Sequence, residues 1–205
     1  MSKAASLMIL SVFVVSCGDA PQPTAPFSVP VFNDSASASP NASANARGGN
    51  FGAPLSSDEE VMPDGVVNES RARGNSIFQL NAAGTELSYQ LMVANIENVI
   101  MAHIHRGPRG VNGPIVVWLY PSTTPNVQEP PGGGRINGVI ATGTIRAANL
   151  VGQLADQPLS ALVADLKNGN AYVNVHTNDG VAPTNTGPGD FPGGEIRGQI
   201  EHRGH

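Results

Sequence analysis

From Ser76 to His202 the apolar residues fall on alternate positions in short runs, and glycine or proline interrupts nearly every run. A period of two is the spacing of a half-buried strand, so the pattern commits this part of the chain to sheet. "ELSYQLMVA" sets Leu87, Tyr89, Leu91 and Val93 on one face, and with "SIFQLN" across the turn "AAGT" it forms a hairpin. "VIMAHIH", "PIVVWLY", "GVIATGTIRA", "AYVNVHT" and "GEIRGQIEH" supply further strands. With 24 glycines, 17 prolines and only 13% charged residues, the composition matches many turns and few surface helices. One segment departs from the rule: in "QPLSALVADLKNGN" the residues Leu159, Leu162, Val163 and Leu166 repeat at helical spacing before a glycine stop. The expected fold is all-β, an antiparallel Greek-key sandwich or barrel of about seven to eight strands with one short helix, preceded by a disordered spacer.

The beginning of the chain follows other rules. "MSKAASLMILSVFVVSCGDA" carries Lys3, then an apolar run from Leu7 to Val15, too short for a bilayer span and right for a signal-peptide core. It ends in "VVSC", which resembles the lipobox of bacterial lipoproteins, and the resemblance implies cleavage before Cys17 and a lipid anchor on that residue. Cys17 is the sole cysteine, so no internal disulfide holds the fold. Residues 18–70 are rich in Ser, Ala, Asn and Pro and poor in large apolar side chains, as a tether would be. The expected division is residues 1–16 as signal peptide, 17–73 as a lipid-anchored low-complexity spacer and 74–205 as the domain. The expected location is the bacterial cell envelope, periplasmic or cell-surface.

Charge narrows the partners. Between Cys17 and Ser70 the acids Asp19, Asp34, Asp58, Glu59, Glu60, Asp64 and Glu69 face one base, Arg47. From Arg71 onward acids and bases balance, with no basic cluster to displace counterions from nucleic acid. The expected partners are the membrane through the anchor, a metal ion, or an extracellular protein.

The chemistry-bearing residues are histidines. His103 and His105 stand two apart on a strand, so both imidazoles leave the same face and can converge on one ion at roughly 2 Å. His176 ends a later strand and offers a third nitrogen, and three neutral imidazoles suit copper or zinc. The alternative is that all three hydrogen-bond to loop carbonyls and brace the turns without any ion. His202 or His205 could add a ligand, although the terminus "EHRGH" is expected to be frayed and solvated. Glu195 and Arg197 share a strand face and form either a structural ion pair, with each other or with Arg106 or Asp179, or an anion site. The glycines of "RGPRGVNGP" suit tight turns, not a phosphate loop. No nucleophile–histidine–acid set stands out.

Three stretches carry a family resemblance: "AHIHRGPRGVNGPIVVWLY", "NGNAYVNVHT" and "PGGEIRGQI". Together, over about residues 75–202, they resemble the CHRD domain, the module named after chordin and found in exported bacterial proteins. That resemblance implies an extracellular β domain. More locally, "HIH" and "VNVH" resemble the two copper-site strands of copper-zinc superoxide dismutases, and Arg197 stands where that family's anion-guiding arginine does. No histidine lies between His105 and His176 to bridge two metals, the zinc loop has no counterpart, and the family's disulfide cannot form. The resemblance therefore implies at most a copper-only site at His103, His105 and His176. Three functions follow as expectations: a tethered binding module for copper or zinc, a metal-free adhesion or interaction domain using loops 121–138 and 177–192, and a copper-only redox enzyme.

Overall fold

The computed structural model describes residues 49–122 and 127–203; Cys17, His205 and the leader lie outside them. In chain order the strands are β1 (Asn50–Ser56), β2 (Arg73–Leu80), β3 (Leu87–Glu97), β4 (Val99–Arg106), β5 (Ile115–Tyr120) and β6 (Arg135–Ile145). The helix α1 (Leu159–Lys167) follows, then β7 (Ala171–Thr177), β8 (Ile196–Gln199) and β9 (Glu201–His202). Every pairing is antiparallel, in the order β5-β4-β7-β8-β1-β2-β3-β6, with β9 beside β1.

The sheet curls into a nearly closed barrel whose seam lies between β5 and β6. Tyr89 on β3 donates its hydroxyl across that seam to the carbonyl of Leu119 on β5, at 2.8 Å. The chain leaving β6 then covers the gap, where the Val151 amide donates to the Val116 carbonyl. A cavity of about 150 Å³ remains there, lined by Tyr89, Trp118, Gly143 and Val151 among others.

The alternating residues make the core as the sequence led us to expect. Leu87, Leu91, Val93, Ala102, Ile104, Val173, Val175 and Ile196 are buried together, and α1 adds Leu159, Leu162, Val163 and Leu166. Gly169, at φ +63, ends the helix in the left-handed region, and the Asn170 amide returns to the Asp165 carbonyl. The Arg106 side chain lies 2.9 Å from the Asp165 carboxylate, fastening α1 to the end of β4.

One boundary needs correction. Residue 74 does not open the domain: β1 lies inside the stretch read as spacer and sits between β2 and β8. Phe51, Ala53 and Leu55 alternate into the core at 0%, 0% and 2% exposure. Gly52 and Pro54 stand between them, and both weaken a strand reading because glycine packs nothing and proline donates no ladder bond. Three alternating apolar residues next to a polar, low-complexity run were too weak a signal to move the boundary.

A candidate metal centre on the outer face

β4 and β7 each present two faces. Ala102, Ile104, Val173 and Val175 belong to the core, so the intervening residues face away from it. Register pairs Met101 with His176, His103 with Asn174 and His105 with Tyr172, and directly opposed residues share a face. Arg197 on β8 pairs with Asn174, and Gln199 with Tyr172, which extends the same outer row.

This row is polar yet buried. His103 is 0% exposed, His105 9%, His176 5% and Arg197 1%. The chain between β1 and β2 and the loop from Gly107 to Gly113 cover it. Arg197 fixes the second of these, donating to the carbonyls of Pro108 and Val111 and to Asn112 Oδ1. Asn112 in turn donates to the carbonyl of Val61 in the first. Glu60 reaches in to accept from Asn174 Nδ2 at 2.7 Å, and Arg109 ties the two covers together through Glu59.

The three imidazoles meet under this cover. His105 donates Nδ1–H to the Gly113 carbonyl at 2.9 Å, and His176 donates Nδ1–H to the Pro192 carbonyl at 2.9 Å. A carbonyl only accepts, so in the neutral rings both Nε2 atoms carry lone pairs. His103 Nδ1 lies 3.1 Å from His176 Nε2. One ligand atom from each ring falls within 4.8 Å of the other two. The loop-bracing bonds and convergence on an ion are therefore compatible: bracing uses Nδ1 of His105 and His176, leaving His105 Nε2 unpartnered and His176 Nε2 in contact with His103 Nδ1.

The electrostatics keep these rings neutral. Burial, reinforced by the neighbouring rings His176 and His105, lowers the His103 pKa to about 2. Burial also lowers His176, to about 4, against the opposing pull of the Pro192 hydrogen bond. His105 is lowered by burial, and more weakly by Arg197. The Nε2 atoms of His103 and His105 are buried without a hydrogen-bond partner among the described residues. Unsatisfied polar atoms are expensive in an interior, and a ligand site without its ligand leaves such atoms. Two nitrogens 3.1 Å apart subtend about 100° at an ion roughly 2 Å from each, an ordinary angle for zinc or copper.

The walls were not singled out from sequence. Trp118 stands edge-on to His103 with ring centroids 4.2 Å apart. Tyr172 stacks on His105 at 4.9 Å and 10°, and the Arg197 guanidinium lies 3.4 Å from the centre of the Tyr172 ring. The only advance signal was parity: Tyr172 and Asn174 precede His176 by even steps on one strand.

Glu195 and Arg197 do not form the expected ion pair. The Glu195 carboxylate accepts from Ser70 Oγ, Thr177 Oγ1 and the Gly189 amide, and among the described residues Arg197 hydrogen-bonds only to the covering loop. Arg106 pairs with Asp165 instead. The expectation rested on a shared strand face alone. The loops bury that surface and satisfy each charge separately. His202 is exposed and packs edge-on against Phe51, away from the cluster.

Residues 51–200 match the family model of the CHRD domain. The chain is a member of the CHRD-domain family. The match starts at Phe51, so the CHRD domain includes β1 and its cover as well as the three histidines. No curated protein and no solved structure matches the chain.

Proposed function

We propose that this CHRD domain is a binding module for a transition-metal ion, copper foremost and zinc next, held by His103, His105 and His176. The observation that supports this reading most is the 3.1 Å contact between His103 Nδ1 and His176 Nε2, with the buried, unpartnered Nε2 of His105 in the same cluster. The residues fit an ion by chemistry as well as position. All three donors are held neutral, and the Gly113 and Pro192 carbonyls fix the orientation of two of them. A bound ion would supply a Lewis-acidic or redox centre; the chain orients the rings and excludes water. The buried site suits holding an ion better than turning over substrate, so the copper-only redox enzyme ranks behind the module. We place the domain outside the cytoplasm, tethered to the cell envelope through lipid on Cys17.

Equilibrium dialysis of the purified chain against Cu(II) and Zn(II) tests this. One equivalent is expected, and it should vanish in the His103→Ala, His176→Ala double variant while circular dichroism still reports sheet. Uptake that the double variant retains would sink the proposal.

A second reading, docking of an extracellular protein, has its own support. The Gly132 amide donates to the Asn178 carbonyl, joining the two long loops into one surface that leaves Val127 57% and Val181 65% exposed. Alanine at both valines should abolish capture of such a partner and leave metal uptake unaltered.

A further inference from the structure

Resting on the reading of the three histidines as an ion site, we propose that the site selects cuprous copper over divalent ions, Zn(II) and Cu(II) included. The first ground is charge. The cluster consists of three imidazoles, and no carboxylate oxygen or thiolate joins it among the described residues. A divalent ion bound there keeps its full charge. The desolvation cost of an ion rises with the square of its charge, so a monovalent ion meets roughly a quarter of the penalty. Cu(I) is that ion.

The surroundings reinforce this. Arg197 places a buried cation on the far side of Tyr172, which itself stacks on His105. Its field opposes a divalent ion twice as strongly as a monovalent one. Two acids face the same row, and both are engaged elsewhere. Glu60 is occupied by Asn174 and the Val61 amide, and burial raises its pKa; Glu195 is held by Ser70, Thr177 and Gly189.

Coordination number is the second ground. Zinc takes four ligands, and in three-histidine sites a water fills the fourth position. Here the rings are at most 9% exposed under two covering segments, which leaves three nitrogens as the donor set. Cuprous ion, a closed-shell soft cation, is satisfied by two or three such donors. The neighbours are soft as well. Register sets the thioether residue Met101 on this face opposite His176, and the Trp118 indole lies against His103.

The test is an anaerobic titration of the purified full-length chain with Cu(I) against a chromophoric cuprous chelator. Parallel titrations use Cu(II) and Zn(II) against chelators of known strength. One equivalent of Cu(I) is expected, bound roughly a hundredfold more tightly than Zn(II). X-ray absorption at the copper edge should show nitrogen scatterers and no oxygen. His105→Gln should lose the tight phase; if that variant does not fold, the spectrum of the native chain decides by itself. Zn(II) or Cu(II) held as tightly as Cu(I), or an oxygen in the copper shell, would overturn the selectivity and leave the ion-site reading standing. Uptake of none of the three ions would overturn both.

Discussion

His105 and Gly113 are joined by a hydrogen bond of 2.9 Å from the imidazole Nδ1–H to the carbonyl, and that bond fixes which nitrogen His105 offers to His103 and His176. Gly113 is held in turn, because its amide donates to the Tyr172 hydroxyl at 3.0 Å. A β-carbon on Gly113 would lie 1.8 Å from the Arg106 carbonyl oxygen, so no larger residue fits without moving the loop.

Gly113→Ala should therefore act on two properties together. Displacing the loop costs stability by about 1–3 kcal/mol. Loss of the His105 acceptor weakens ion affinity by about ten- to a hundredfold, as loss of a group that orients a ligand does. Urea unfolding and a metal competition assay on one preparation measure both. Normal affinity in a destabilised Gly113→Ala protein would show that His105 does not need this carbonyl.

Acid should unfold the protein through its histidines. All three have folded pKa values below the usual 6.5, reaching about 4 for His176. The unfolded chain binds protons first as pH falls below 6.5, and the folded state takes up the His176 proton only near 4. Stability is thus level above about pH 7 and declines between 6.5 and 4, by up to about 1.4 kcal/mol per pH unit for each histidine. Melting temperatures across that range should trace the decline, and His176→Gln should make it shallower by the share of that one histidine. A wild-type profile without slope would contradict the burial of neutral rings.

Glu195 is a structural carboxylate. Its alanine variant leaves Ser70 Oγ, Thr177 Oγ1 and the Gly189 amide without an acceptor inside the fold. A loss of about 3–5 kcal/mol is expected, because three buried donors lose their acceptor at about 1–3 kcal/mol each. Chemical denaturation measures it, and Glu195→Gln should recover part because one oxygen remains. A loss below about 1 kcal/mol would mean that water replaces the carboxylate.

Tyr89→Phe provides a contrast at the barrel seam, in the cavity that Tyr89 shares with Trp118. It removes the bond to the Leu119 carbonyl that stitches the barrel seam and nothing else of consequence. The cost should be about 1 kcal/mol, with metal affinity unchanged. A change in affinity would show that the seam and the candidate site are coupled.

Much of this was legible because alternation is a local property. Leu87 to Val93 and Ala171 to Thr177 announced their strands, and the spacing of Leu159 to Leu166 announced α1. The pairing of His103 and His105 on one face followed from the same period, and the family motifs pointed to His176. The cover was not legible. Whether an outward face meets water depends on where loops fall, and loops carry no period. Arg197 and Glu195 were paired on a shared strand face for that reason, although the structure buries each at 1% exposure among partners of its own. Trp118 and Tyr172 escaped notice because an aromatic residue on a strand looks the same whether it packs a core or walls a site.

The position of β1 has a practical corollary for anyone shortening the chain. Composition invites a cut near residue 74, where the low-complexity run gives way to regular alternation. That cut removes a central stave, leaving β2 and β8 with bare ladder edges able to recruit other molecules. It also takes away Ser57, Glu60, Asn68 and Ser70, the residues through which the first covering segment grips the sheet and its neighbours. Such a fragment would open its histidines to solvent and to its own copies. Aggregation of that fragment, or scavenging of stray metal by it, would be a property of the scissors and not of the protein.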